Sequence, residues 1–238
     1  MMNKSESSAG NWHNMAGDSF TAACRDYYYL INRNFPERGS LKLVGDRYRL
    51  SGDQRTVLYR GISSRERSEY RNSLLVNEIK NEFLVIDGYN VLFTLLNYRL
   101  GRNLFISTDN ILRDAGSLHG KLRDEMTFSG CINLLLEYLA AGSNCRIDVY
   151  LDSPVSHSEK HAQLIRDRMQ ELDLQGGCTV IRSADWALKQ VKQGTLSTSD
   201  TAIIEKAGMP VIDLPRLVLE TSYAAGFPEL KKLLGNCW

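Results

Sequence analysis

The sequence predicts an α/β protein: a three-layer α/β/α domain with a parallel central sheet over residues 82–238, preceded by a small, basic, mainly helical module over residues 20–75. Three observations carry this. From Phe83 onward short β-type runs alternate with stretches of helical periodicity, the pattern of parallel strands joined by crossover helices. From Phe20 to about Tyr70 the pattern is helical throughout. The 238 residues are 43% hydrophobic and 24% charged, which is the composition of a globular chain long enough for one large domain or a medium one with an appendage.

Residues 1–19 are rich in Ser, Gly and Asn and are expected to form a disordered tail. In TAACRDYYYLINRNF, Ala23, Tyr27, Leu30 and Ile31 fall at helical spacing, and Pro36 ends that helix. Ser51 followed by Gln54 reads as a capping box opening a short helix through Leu58. The charged stretch from Ser64 to Asn81 reads as a helix or linker. The candidate strands are FLVID (83–87), LFIS (104–107), RIDVYLD (146–152), CTVIR (178–182), TLST (195–198) and PVID (210–213). The candidate helices are Tyr89–Leu100, Met126–Ala141, Ser158–Leu172, Ala184–Lys189, Asp200–Ala207 and Pro215–Tyr223. FPELKKLLGNCW at the C-terminus reads as a docking helix or an oligomer contact, so a homodimer is among the expected assemblies.

Several classes are excluded or disfavoured. A net charge of +1 predicts no polyanionic partner by itself, so any electrostatic argument rests on local patches. Five scattered cysteines with no CxxC pair argue against a disulfide framework or a thiolate zinc site, and fit a reducing cytoplasm. The polar N-terminal stretch is not expected to be a signal peptide, and no apolar run approaches a membrane span, so no membrane partner is expected. GxGxxG and P-loop patterns are absent. Tyr89 stands where a haloacid-type phosphatase needs a second aspartate, and a receiver domain would need paired acids where Val85-Ile86-Asp87 offers one. HSEKH (157–161) lacks the Glu of a zincin helix; Ser156 and Glu159 fit a capping box, and the segment reads as a solvated helix start.

The informative feature is where the carboxylates fall. The functional edge of an open parallel sheet is the carboxyl end of its strands. Asp87 and Asp152 end strands, Asp200 follows TLST after Ser199, Asp213 ends PVID, Asp185 follows CTVIR after a short turn, and Asp109 and Asp114 follow LFIS. Gathered carboxylates repel one another unless a cation sits among them. An all-oxygen set suits Mg2+ or Mn2+. Each such aspartate also has a plainer reading as a helix N-cap, which is strongest for Asp200 and for Asp213 before Pro215.

VIDGYNVL (85–92) resembles the opening motif of PIN-like and NYN-type ribonuclease domains, and TSDTAII (198–204) resembles their later Thr/Ser-Asp motif. The chain from about Phe20 to Leu219 is similar to the two-part family called domain of unknown function 434, through LINRNFPERGSLKLVGDRYRLSGDQRTVLYRG, LRDAGS (112–117), YLDSPVSHSE (150–159) and TSD (198–200). The family favours two acids and a glycine where this chain has Thr108-Asp109-Asn110, which weakens any carry-over to Asp109. The resemblance implies an acidic site of Asp87, Asp152 and Asp200, with Asp114 and Asp185 as further metal candidates and Asn90, Thr198 and Ser199 in support. It implies a nuclease, acting on RNA, in which a metal-activated water hydrolyses the phosphodiester. The alternative is a non-catalytic nucleic-acid- or partner-binding protein on a degenerate scaffold of that kind.

The helical module interleaves arginines with tyrosines, and Arg47, Arg49, Arg55 and Arg60 are its candidate phosphate-binding residues. The competing reading pairs the module's arginines with Asp26, Glu37, Asp46, Asp53, Glu66 and Glu69 and packs the tyrosines into a small core.

Overall fold

A computed structural model of the chain describes residue 12 and residues 16–79, 83–115, 124–142 and 145–238. They fall into two compact units. One lies within Met1–Ser73, Asn97–Ser117 and Ala224–Trp238, the other within Leu74–Leu96 and Leu118–Tyr223. The boundary is therefore interleaved, whereas a single cut between residues 75 and 82 was expected. Most of the expected disordered tail lies outside the described residues. Trp12 is described, and its ring packs against Phe20 and Phe105.

The helical unit contains α1 (Asp18–Asn32), α2 (Glu37–Arg47), α3 (Gly52–Gly61) and α4 (Arg65–Ser73). Apolar spacing sends Phe20, Ala23, Cys24, Tyr27, Tyr28 and Ile31 of α1 inward. The predicted capping box opens α3: the Ser51 hydroxyl accepts from Gln54 N–H at 3.2 Å, and Ser51 N–H donates to Gln54 Oε1 at 3.0 Å. Two segments distant in sequence complete the core. The antiparallel hairpin β3 (Leu104–Ile106) and β4 (Leu112–Asp114) contributes Phe105. The short α11 (Leu230–Leu234) contributes Leu230 and Leu234. LFIS is thus half of a hairpin in this unit, not a strand of the parallel sheet. Its partner is only three residues long, too short to leave a periodic trace. The C-terminal segment docks within its own chain, with Trp238 against Tyr28.

A buried ion-pair cluster ties α4 to the hairpin. Asp109 accepts from Arg71 Nε at 2.6 Å, from Arg113 Nη1 at 2.6 Å and from Arg113 Nη2 at 2.9 Å. All three side chains are at most 3% exposed. Burial alone would raise the Asp109 carboxyl, but the guanidiniums of Arg113 and Arg71 and the Ser107 hydroxyl hold it well below the usual carboxylate range. Asp109 is therefore a structural anion of the helical unit.

The second unit is a six-stranded, all-parallel sheet in the order β1-β8-β7-β2-β5-β6. The strands are β1 (Leu75–Val76), β2 (Phe83–Asp87), β5 (Arg146–Asp152), β6 (Gly176–Ile181), β7 (Thr195–Ser197) and β8 (Val211–Ile212). The two-residue edge strand β1 lies in the stretch read as helix or linker. The flanking helices are α5 (Gly88–Arg99), α6 (Glu125–Gly142), α7 (Ser158–Glu171), α8 (Ala184–Leu188), α9 (Thr201–Ala207) and α10 (Leu214–Tyr223). Central strand β2 is buried from Leu84 to Asp87, as its unbroken apolar run requires. On β5 buried Ile147, Val149 and Leu151 alternate with half-buried Asp148, Tyr150 and Asp152. Ala184, Leu188 and Ile203 of α8 and α9 pack on Val85 and Leu196. Ser156 and Glu159 do not cap α7: it starts at Ser158 behind His157, whose φ of 64° is left-handed and which makes no side-chain cap bond.

Breaking a buried ion cluster by removing one partner typically costs about 3–5 kcal/mol, because the remaining charges stay buried. Asp109→Asn is accordingly expected to lower the unfolding free energy by roughly that amount in urea titrations followed by circular dichroism. A loss below about 1 kcal/mol would contradict the account.

Candidate functional site

Strand order places the site. From β2 the sheet grows through β5 to β6 on one side; from β7 it grows to β8 and β1 on the other. β2 and β7 are neighbours, so the connections leaving them diverge at their carboxyl ends, and ligands of open α/β sheets bind in the crevice such a reversal opens. Ile86 pairs with Ser197, so Asp87 and Thr198 arrive side by side. The Thr198 hydroxyl donates to Asp87 Oδ2 at 2.8 Å. The same oxygen of Thr198 accepts from Asp200 N–H at 3.1 Å. Asn90 Oδ1, one turn into α5, accepts from Ser199 N–H at 2.8 Å and from its hydroxyl at 3.0 Å. The four residues following the two strand ends are thus cross-linked into one support.

Gly88 makes this packing possible. A Cβ there would stand 2.5 Å from Leu151 Cδ2 and 2.9 Å from the Tyr150 carbonyl oxygen, so the start of α5 approaches β5 more closely than any side chain allows.

Asp87 is 7% exposed. Burial pushes its carboxyl up to about 7; the negative charges of Asp152 and Asp200 add to the rise, while the Thr198 hydroxyl and Asn90 N–H oppose it. Among the described residues no lysine or arginine pairs with Asp87, Asp152 or Asp200. Each of the other two carboxylates uses one oxygen on backbone. Asp152 Oδ1 accepts from Ala184 N–H at 2.7 Å. Asp200 Oδ1 accepts from Ala202 N–H at 2.7 Å and Ile203 N–H at 3.0 Å, which makes it the N-cap of α9.

The other two metal candidates are engaged by basic side chains. Asp114 belongs to the helical unit, where it pairs with Arg60 at 2.9 Å. Exposed Asp185 pairs with Lys189, four residues on, at 2.8 Å. The phosphate-binding candidates of the helical module are also largely committed: Arg55 to Asp46 at 2.9 Å, Arg60 to Asp114, and Arg47 within 3.9 Å of Asp26. Arg49 is exposed in a left-handed turn with φ of 50°. The pairings with Asp26 and Asp46, and that of Arg67 with Glu37 at 2.6 Å, are the ones the plainer reading named.

One constellation escaped sequence reasoning. His161 is 2% exposed, not solvated, and its Nδ1 meets the Tyr89 hydroxyl at 3.0 Å. Its Nε2 lies 3.5 Å from Glu125 Oε2. This network anchors the first turn of α5 to α7. The signal in the sequence was the spacing from His161 to Ala162, Ile165 and Met169, which puts the histidine on the buried face of α7.

Among the described residues no three His, Cys, Asp or Glu side chains are grouped closely enough to hold a metal ion. A closed, all-protein cage is therefore not what Asp87, Asp152 and Asp200 form. Their donor chemistry still fits a hard cation. They are oxygen donors of one sign without a cationic partner among the described residues, and Mg2+ is commonly held by one or two carboxylates, waters and substrate phosphates.

The fold and edge together define an α/β protein that presents a buried, a half-buried and an exposed carboxylate (Asp87, Asp152 and Asp200) at the switch point of a parallel sheet. The chain belongs to the family described as Domain of unknown function (DUF5616), whose model matches residues 76–217, more than half of its length. A second model, Protein of unknown function (DUF434), matches residues 19–73, so the sequence resemblance to that family is shown over the first helices, and the α/β part is matched by a different model. A relative, "Uncharacterized protein MJ0935" of Methanocaldococcus jannaschii, is 31% identical over 199 residues, covering 82% of this chain and 94% of that protein. No solved structure matches the chain.

With a folded value of about 7 against roughly 3.9 in the unfolded chain, Asp87 holds its proton more tightly when folded. Folded stability should then fall as pH rises from about 4 to about 7, by up to about 4 kcal/mol in total. In Asp87→Asn, measured by urea unfolding in EDTA, this decline is expected to flatten and the variant to be more stable than its parent above about pH 7. An unchanged pH profile would show that Asp87 is not the buried group described.

Proposed function

We propose that the carboxyl edge of the parallel sheet is a metal-assisted phosphodiester-hydrolysing site, that of a PIN-like nuclease acting on RNA. The observation that carries this is Asp87: a buried carboxyl, raised by burial and by two like charges, with no lysine or arginine paired to it among the described residues. A fold tolerates such a group at a cost, and a divalent cation relieves that cost. Asp87, Asp152 and Asp200 would hold Mg2+ or Mn2+, and the bound ion would neutralise charge on the phosphoryl oxygens and make a water more acidic. Asp152 and Asp200 each keep a second oxygen that is not engaged by another described residue. Thr198 fixes the rotamer of Asp87 through its hydroxyl, and Asn90 holds the Ser199 turn that aims Asp200. Deep burial of the strand ends beneath these groups lowers the local dielectric and strengthens their pull on a cation.

A second reading has an observation of its own. Asp152 and Asp200 are backbone caps, and no three-ligand group stands ready among the described residues. That arrangement also suits a nucleic-acid- or partner-binding protein without hydrolytic activity.

Labelled single-stranded RNA incubated with Mn2+ separates the two. Cleavage by the wild-type chain is expected to fall in Asp87→Asn to the level of an EDTA control. Equal cleavage by wild type and variant, or none by either, would remove the hydrolytic reading. Independently of activity, Mn2+ at about a hundred times its Kd should stabilise the wild-type fold by about 2.7 kcal/mol, read as a rise in Tm that Asp87→Asn lacks.

A further inference from the structure

Helix α8 begins at the carboxyl edge beside Asp152. Its first residue, Ala184, donates its N–H to Asp152, and the helix shares a packed face with α9, whose N-cap is Asp200. Ala184 and Leu188, one turn apart, face the sheet and are at most 1% exposed. Trp186, midway between them, must therefore point the other way, and it is 68% exposed. Its backbone N–H is already satisfied by the Ser183 hydroxyl at 3.2 Å, so the ring contributes nothing to the cap. Leaving most of a tryptophan in water forgoes burial that any smaller side chain would not need.

Two exposed cations stand near it in sequence. Arg182 follows directly after β6, whose last residue, Ile181, pairs with Asp152. Arg182 is exposed and has no carboxylate partner among the described residues, and the same is true of Lys192 in the loop beyond α8. Asp185, the acid nearest in sequence to Trp186, is neutralised by Lys189. An exposed aromatic ring with exposed cations four residues before it and six residues after it is the composition that holds a single strand, with the ring stacking a base and the cations taking phosphates. In the helical module, by contrast, Arg47, Arg55, Arg60, Arg67 and Arg71 pair with carboxylates.

We propose that Trp186, with Arg182 and Lys192, is a stacking platform for a single-stranded polynucleotide lying across the carboxyl edge of the sheet. This rests on reading that edge as a polynucleotide site. It adds a substrate form: unpaired bases, because a ring can stack only on a base that is not already stacked within a duplex.

The test measures binding in the Asp87→Asn background with Mg2+, so that it is read whether or not the wild-type chain cuts. The probes are a short labelled oligoadenylate RNA, DNA of the same sequence and a blunt RNA duplex, followed by anisotropy. The single strands are expected to bind more tightly than the duplex. Trp186→Ala should weaken single-strand binding about tenfold or more, Trp186→Phe should retain most of it, and Arg182→Gln should reduce the salt slope by about one. Exposure of Trp186 makes Trp186→Ala safe for folding, and an unchanged Tm checks this. RNA and DNA binding both satisfy the proposal, and their ratio names the source of the strand. Equal affinity of Trp186→Ala and its parent overturns it, as does preference for the duplex or absence of binding. So does a Trp186→Ala chain that loses self-association in sedimentation, which would make the ring a contact between copies.

Discussion

The Thr198 hydroxyl reaches across two neighbouring strands to the carboxylate of Asp87, and the rest of the carboxyl edge is organised around that contact. It exists because β2 and β7 are hydrogen-bonded in a register that delivers Asp87 and Thr198 together. The same Thr198 oxygen receives Asp200 N–H, and Asn90 holds Ser199 from the other side. Gly88 is the steric condition for all of this, since only its missing side chain lets α5 begin against β5.

Two buried aspartates in the chain meet opposite electrostatic conditions. Asp109 sits between Arg71 and Arg113, and its carboxyl is held low. Asp87 has two carboxylates near it and no guanidinium among the described residues, and its carboxyl is driven up to about 7. A protein interior penalises an uncompensated charge heavily. Asp109 carries its compensation within the fold, which is why it reads as structure. Asp87 does not, and it is this asymmetry, more than its place at a strand end, that singles it out.

The parallel sheet was legible through β2, β5 and β6, which are five to seven residues long and separated by helical periodicity, a contrast that survives any tertiary arrangement, whereas the two-residue β1 left no trace. The helices Ser158–Glu171 and Leu214–Tyr223 fall within a residue or so of their expected bounds. The hairpin 104–114 was misplaced for the converse reason. A strand of three residues has no period of its own, and LFIS carries no mark of which sheet it joins. The caps show the same limit: Ser51 and Gln54 form their box, while the equivalent Ser-x-x-Glu pattern at Ser156 and Glu159 does not, because the chain turns through a left-handed residue at His157 instead.

By itself the sequence determined the strand and helix alternation, the parallel sense of the sheet and the delivery of Asp87, Asp152 and Asp200 to one edge, since these follow from local periodicity and from the rule that crossover connections align strand ends. Only the tertiary structure decided which charges have partners. Arg60 with Asp114, Arg71 and Arg113 with Asp109, and His161 with Tyr89 are separated by up to 72 residues. Pairing across such separations depends on how elements pack, which no local pattern encodes. It is that pairing which engaged Asp114 with Arg60, gave Arg47 and Arg55 carboxylate partners and left Asp87 without a countercharge among the described residues.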